Sequence, residues 1–319
     1  MSGLSSALQN SANTRETVLS GKKYTRFSQD PFSASSAAIL ERKYIRNNDY
    51  LETVKELQSI LDTQEDSLAE ISDIAETISK DYSVSAMNDV TGAEGRKSYA
   101  AAIRELQQQM VNNLNAQYGD RFVLAGNEAL KAPFELDENG SLLYRGYDVS
   151  TTDPAQLEKL AKEASYADIG FGMNFDANGN VISSTAFNYA LSGLSVTGYG
   201  KTADGADKNM VVLLGQMADV LEQETFNSEE YTRLWDQFQE GANRLTDTQA
   251  SLGVRAKSLE TTQTRLTDMK LTMTEQLNSL ENEDPAYAIM NFSYAEYTYN
   301  CALKIGTGII GQSLLDFLS

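Results

Sequence analysis

The sequence predicts a mainly α protein: a long antiparallel helical bundle or coiled-coil rod built from both chain ends, with a small β-rich domain in the middle. Three observations carry this. Tyr231, Leu234, Phe238, Leu245, Leu252, Leu259, Leu266, Met269, Met273 and Leu280 fall on one alternating three-four register. Val54, Leu57, Leu61, Gln64, Leu68, Ile71, Ala75 and Ile78 form a second such register with one polar break, at Gln64. A narrow apolar stripe of this kind needs a partner helix, and the simplest partner for one tract is the other. Between them lies a glycine-punctuated stretch of short strand-like runs.

Taken in order, residues 4–19 place Leu4, Leu8, Ala12, Arg15 and Leu19 on a loose helical stripe, too short to be stable alone in water. Residues 20–32, SGKKYTRFSQDPF, break that stripe at Gly21 and end on Asp30-Pro31, which disfavours helix before the proline and suits a helix start after it. Helix is expected from Ser33 to about Asp81, a loop over 84–95, and a second helix from about Arg96 to Tyr118 carrying Tyr99, Ile103, Leu106, Met110 and Leu114. Residues 121–125 and 142–145 read as strands. Asn139-Gly140 and Asn178-Gly179 read as hairpin turns, because both turn positions need positive φ. A short helix is expected over 155–164. Helical spacing returns at Met210, Leu213, Leu214, Met217 and Leu221, and a helix from about Ser228 to Glu281, capped by Asn227 or Ser228, would reach roughly 75 Å between Tyr231 and Leu280. Asp284-Pro285 interrupts it. The expected segments are therefore 1–32 (first helix and loop), 33–118 (first half of the rod), 119–207 (β-rich domain), 208–283 (second half) and 284–319 (last helix).

The inner stripes have an ordinary reading as an intramolecular core, in which Val54, Leu57, Leu61, Leu68, Ile71, Leu245, Leu252, Leu259 and Leu266 are the expected members. Thr248, Arg255 and Thr262 occupy the alternate positions of the long stripe, so a bundle of unequal helices suits it better than a parallel dimer. The last segment differs. Residues 286–319 carry only Glu296, Lys304 and Asp316 as charges, and their apolar surface exceeds what one partner helix can cover. Leu4, Leu8, Ile289, Phe292, Tyr299, Leu303, Ile309, Leu314, Leu315, Phe317 and Leu318 are the expected subunit-interface residues.

Composition narrows the function classes. The net charge of -19 argues against nucleic acid, whose phosphates call for clustered Lys and Arg. Residues 1–46 nonetheless carry seven basic side chains against three acidic ones, a local +4 in an otherwise acidic chain. A solvated basic patch is the ordinary reading of that segment; the functional one is complementarity to the acidic body of a neighbouring copy. The chain contains no histidine, which removes His-based acid–base chemistry and most zinc sites, and its one cysteine, Cys301, forms no internal disulfide framework. No catalytic, metal or cofactor site is expected. The first residues have neither the charged nor the apolar region of a cleavable secretory signal, and no run is apolar enough for membrane insertion.

Gly306-Thr307-Gly308-Ile309-Ile310-Gly311 matches a dinucleotide fingerprint, but too few residues follow it to complete a βαβ unit; a small-residue helix surface is the simpler reading. Asp137–Gly140 and Asp176–Asn180 look like fragments of calcium loops without the distal glutamate, and hairpin turns account for both.

The Ser20-Gly21-Lys22-Lys23 run followed by Asp30-Pro31 and a long helix, together with the Ser313-Leu314-Leu315-Asp316-Phe317-Leu318 ending, resembles the flagellin superfamily. Tyr118-Gly119-Asp120-Arg121-Phe122-Val123-Leu124-Ala125-Gly126-Asn127, then Ala132-Pro133-Phe134 and Tyr144-Arg145-Gly146, is similar to its hook–filament junction members more than to flagellin. One departure is Gln29, where the family pattern has a second Asp before Asp30-Pro31. The resemblance implies a non-enzymatic structural subunit of the bacterial flagellum that assembles through its terminal helices. It implies as partners copies of itself in a ring, hook-associated protein 1, flagellin and a cytoplasmic export chaperone. It also implies an extracellular location reached from the cytoplasm without a cleavable signal peptide. Flagellin itself, and a cytosolic coiled-coil adaptor with no flagellar role, are the alternative readings.

Overall fold

The computed structural model describes residues 2–83, 92–137 and 140–318, with side chains for 3–82, 92–137 and 140–307. Long helices from both ends of the chain flank a stretch of small sheets. The chain divides into two compact units, one made of residues 1–49 and 265–319, the other of residues 50–264. Helix α1 is Ser2–Ser20, α2 is Pro31–Thr77, and a π-helical turn over Ile78–Ser83 extends α2. The next helix, α3, is Gly92–Leu114, so it begins inside the stretch expected to be loop; Asn88 and the rest of 84–91 lie outside the described residues. Gly92 has φ 66° at that start, a left-handed conformation that glycine adopts without steric cost.

In the unit of residues 50–264, the core is the two heptad stripes plus the helices between them. Val54, Leu57, Leu61, Leu68 and Ile71 of α2 are buried, as are Leu245, Leu252 and Leu259 of α7 (Ser228–Glu281). Helix α3 packs along α6 (Met210–Glu222) through Ile103, Met110 and Leu114 on one side and Leu213, Leu214, Met217 and Leu221 on the other. Asn209 caps α6 by accepting from the Val211 and Val212 amides. Asn227 caps α7, its Oδ1 accepting from the Glu230 amide at 3.2 Å while its Nδ2 donates to the Glu230 carboxylate.

Among the described residues, the middle of this unit carries seven strands of two or three residues in three small sheets. β1 (Gln117–Tyr118) pairs with β2 (Arg121–Phe122), β3 (Phe134–Leu136) with β4 (Leu142–Tyr144) and β4 with β5 (Tyr147–Asp148). After α4 (Pro154–Ala161), β6 (Tyr166–Ala167) pairs with β7 (Phe187–Asn188), and a short α5 (Gly193–Thr197), absent from the sequence reading, leads to α6. Asn139 lies outside the described residues, but the β3–β4 register and φ 80° at Gly140 are those of the expected hairpin. The second expected hairpin is reduced to a single Phe175–Val181 bridge. Both calcium-like fragments are turns. Asp137 accepts from the Ser141 amide, and Asp176 accepts from the amides of Asn178 and Asn180.

The 118–127 run is short of strand because its backbone is used otherwise. Leu124 and Ala125 are fully buried, Gly193 donates to the Leu124 carbonyl, and Gly126 donates to the Leu191 carbonyl. At Gly126, φ is 67° and a Cβ would come within 2.6 Å of Glu163 Oε2, the carboxylate that pairs with Arg145 at 2.7 Å. Phe134 and Tyr144 rings meet at 4.9 Å beneath, and Ser192 donates to the Tyr144 hydroxyl. The second half of the motif, Val123–Ala125, is thus a buried knot joining the two ends of the middle segment, while 118–121 stay exposed.

The unit of residues 1–49 and 265–319 is built differently. It holds α1, the start of α2, the end of α7, and α8 (Pro285–Leu318). Gly21 (φ 68°) ends α1 with its amide on the Thr17 carbonyl, a left-handed helix C-terminus. The next two residues fasten to the α7–α8 corner. Lys22 bridges Asn282, Lys23 N donates to Glu281 O at 2.7 Å, and Glu283 N donates to Gly21 O at 2.9 Å. Lys23 Nζ reaches the Ser279 carbonyl at 2.6 Å and Lys22 Nζ the Glu281 carboxylate at 3.1 Å, so two cations serve the last turn of α7. The Ser-Gly-Lys-Lys run therefore has a local purpose. Both Asp-Pro pairs do too: Asp30 caps α2 through the Ser33 amide, and Asp284 caps α8 through the amides of Ala286 and Tyr287.

Candidate assembly surface

Helix α1 enters the corner from which α8 leaves, so the two lie side by side and antiparallel. The face α1 turns to α8 is made mostly of small residues, and on α8 small residues share the facing stripe with Phe292 and Tyr299. On α1, Ala7, Ser11, Thr14 and Val18 are half-buried at four-three-four spacing. On α8, Ala288 and Ala295 are buried, and Phe292, Tyr299, Ala302 and Gly306 continue that stripe half-buried. The large apolar side chains of α1 point elsewhere. Leu4, Leu8 and Leu19 are exposed, Leu19 at 77%. A second stripe on α8, Tyr287, Met290, Tyr294, Tyr297 and Ile305, is exposed as well.

The imbalance runs through this unit. Its buried apolar side chains among the described residues are Ala34, Ala37, Leu266, Ala288 and Ala295. Yet it holds fifteen of the twenty-two large apolar side chains that stand exposed among the described residues, including Phe32 at 81%. A buried leucine is worth about 1.5–3 kcal/mol and a buried alanine far less. Fixing the backbone of each residue costs about 1–2 kcal/mol. Taken singly, this unit has little to offset that cost. Its buried polar tie, Asn47 Nδ2 to the Leu266 carbonyl at 2.8 Å, closes the last point at which the long stripe of α7 is buried. Beyond it Met269 is exposed and Met273 and Leu280 are half-buried.

Of the interface residues expected from spacing, Leu4, Leu8 and Ile289 are exposed on α1 and α8. Phe292, Tyr299 and Leu303 are half-buried on α8. Ile309, Leu314, Leu315, Phe317 and Leu318 lie on α8 with side chains outside the described residues. Tyr287, Met290, Tyr294, Tyr297 and Ile305 were not singled out. The signal for them is that two stripes interleave on α8, and the small residues Ala288, Ala295, Ala302 and Gly306 mark the one that meets α1 at close range.

Gly306 sits inside a continuous helix, not between a strand and a helix, so the glycine-rich match lacks the context a dinucleotide needs. Among the described residues, no group of three metal-ligating side chains converges and no helix is long and apolar enough to cross a membrane. The neighbouring Cys301 thiol holds the Tyr297 phenol above the usual range.

No family model matches the chain. It is 23% identical to flagellar hook-associated protein 3 of Salmonella typhimurium over 327 residues, covering 99% of this chain and 95% of that relative. The Escherichia coli protein of the same name is 25% identical over 306 residues, covering 94% and 90%. The chain resembles hook-associated protein 3 along its whole length. A solved structure described as a flagellar hook-associated protein of Vibrio parahaemolyticus shares the fold, with a TM-score of 0.62 and 15% identity, covering 80% of this chain and 100% of that one. The resemblance to hook-associated protein 3 includes both terminal segments, where the uncovered stripes of α1 and α8 lie.

Proposed function

We propose that this chain is a structural subunit of the bacterial flagellum that joins the hook to the filament and assembles through its terminal helices. The observation that carries the reading is the full-length similarity to hook-associated protein 3. The uncovered apolar stripes of α1 and α8 support the assembly part. They leave a unit with little core of its own, which neighbouring copies complete, so ordering and assembly are coupled. In this reading the neighbours are further copies in a ring, hook-associated protein 1 on one side and flagellin on the other. Before export a cytoplasmic chaperone covers the same stripes, since exposed together they are an aggregation hazard. The role is mechanical, not catalytic.

Electron microscopy of flagella from a strain lacking this gene tests it. Hooks that persist without filaments, regaining filaments when the gene is restored, are the expected result. Normal filaments on the deletion strain exclude a junction role.

A further inference from the structure

The basic side chains near the first helix fall into two sets. Lys22 and Lys23 are engaged at the α7–α8 corner. Arg15 and Arg26 are not: among the described residues neither guanidinium has a hydrogen-bond or ion-pair partner. They flank an open pocket of about 500 Å³ between α1 and the following loop, which Ala12, Glu16, Leu19, Ser20 and Thr25 also line. The loop that presents Arg26 is held rather than slack. Gln29 Oε1 accepts from the amides of Thr25 and Arg26 at 2.7 and 3.0 Å, and Gln29 N donates back to the Arg26 carbonyl. The Gln29 side chain that holds it is a neutral amide, which leaves the Arg26 charge uncompensated. The pocket thus offers two free cations against the single carboxylate of Glu16, with an exposed leucine and two hydroxyls.

A complementary surface exists on α2 within the unit of residues 50–264. Glu52, Glu56, Asp62, Asp66, Glu70 and Asp73 are exposed, and among the described residues their carboxylates have no hydrogen-bond or ion-pair partner. At 3.6 residues per turn they lie within an arc of about 120°, with Lys55 as the one cation on that arc. Glu52–Glu56, Asp62–Asp66 and Asp66–Glu70 are like-charge pairs one helical turn apart, which weaken a helix by a few tenths of a kcal/mol each. A run of such pairs on one face is relieved by an external cationic partner.

We infer that the Arg15–Arg26 pocket of one copy receives the acidic face of α2 from a second copy. This clasp goes beyond the apolar contacts of α1 and α8, and it rests on the reading of the chain as a self-assembling subunit. Its occupant is a helix presenting carboxylates at one-turn spacing, so that two guanidiniums meet two successive acids while Leu19 packs on the aliphatic stems between them. Charge pairing of this kind sets register between copies more than it adds affinity.

Sedimentation of the purified full-length chain at low salt tests the clasp without depending on flagella. The native chain should associate with rising concentration, and salt should weaken that association. Arg15→Glu/Arg26→Glu should weaken it at least about tenfold, as should Asp66→Arg/Glu70→Arg. The four substitutions combined in one chain should restore it, because every copy then carries a reversed but complementary pair. A native chain that stays monomeric overturns the clasp. So does association unchanged by either reversal, or a fourfold variant that keeps the native thermal melt yet fails to recover. The junction reading fails by a different route, on the filaments of the deletion strain.

Discussion

At the scale of single residues, the polar interruptions of the apolar stripes are the informative ones. Gln64 breaks the stripe of α2 because its Nε2 donates to the Val123 and Tyr189 carbonyls, tying the middle segment to the helix. Arg255 does the same from α7, reaching the Asn188 and Ala190 carbonyls. Spacing alone marks both as defects. Their purpose depends on irregular backbone that no periodicity announces. Tyr231 is the opposite case, a residue on the apolar stripe of α7 whose hydroxyl is buried without a partner among the described residues. Burial raises its phenol well above the ordinary tyrosine value. The folded state therefore holds this proton more tightly than the unfolded chain does, and stability falls as pH rises above about 10. Tyr231→Phe removes both features. The variant should match or exceed native stability by up to about 1 kcal/mol at neutral pH, since no hydrogen bond is lost. Denaturant melts of both proteins between pH 8 and 11 should show a shallower alkaline decline for the variant. Parallel declines contradict the assignment.

At the scale of elements, the long helices and their caps were legible because each has a local cause. The Asp30 and Asp284 caps, the prolines after them and the glycine at the end of α1 each act within one turn. The small strands were less legible. Two or three residues carry too little alternation to read, and Gly193, which opens α5, is explained by the Phe134 ring against it, a contact between distant parts of the chain. The faces of α1 were the hardest to read, since its apolar stripe is the uncovered one and its small residues do the packing. That inversion makes a prediction. Leu4→Gln with Leu8→Gln should leave the thermal melt of the purified chain within about 0.5 kcal/mol of native, because exposed substitutions seldom cost more. The same change should reduce incorporation into sheared flagella several-fold, read by immunoblot. If Leu4 and Leu8 instead belonged to a finished core, the melt would fall first, by about 2–5 kcal/mol per leucine.

At the scale of the molecule, the two units differ in how they are stabilised. Residues 50–264 have a core running through α2, α3, α6 and α7, whereas residues 1–49 and 265–319 bury mostly alanines. Local opening follows buried apolar contact, so protection from hydrogen exchange should divide along the same line. In the purified chain, amides of residues 2–19 and 286–307 should exchange orders of magnitude faster than those around Leu61, Leu114 and Leu252. Removing residues 286–319 should then leave the cooperative melt of the remaining chain nearly unchanged, since that melt reports the other unit. The same truncation should abolish incorporation into the hook–filament junction. The two measurements constrain each other. Slow exchange at both ends, together with a melt lowered by truncation, would mean the terminal helices already form a completed core in the single copy, leaving no ordering to couple to assembly. Fast exchange with an unchanged melt, in a chain that no longer incorporates, identifies α1 and α8 as surface held in reserve for neighbours.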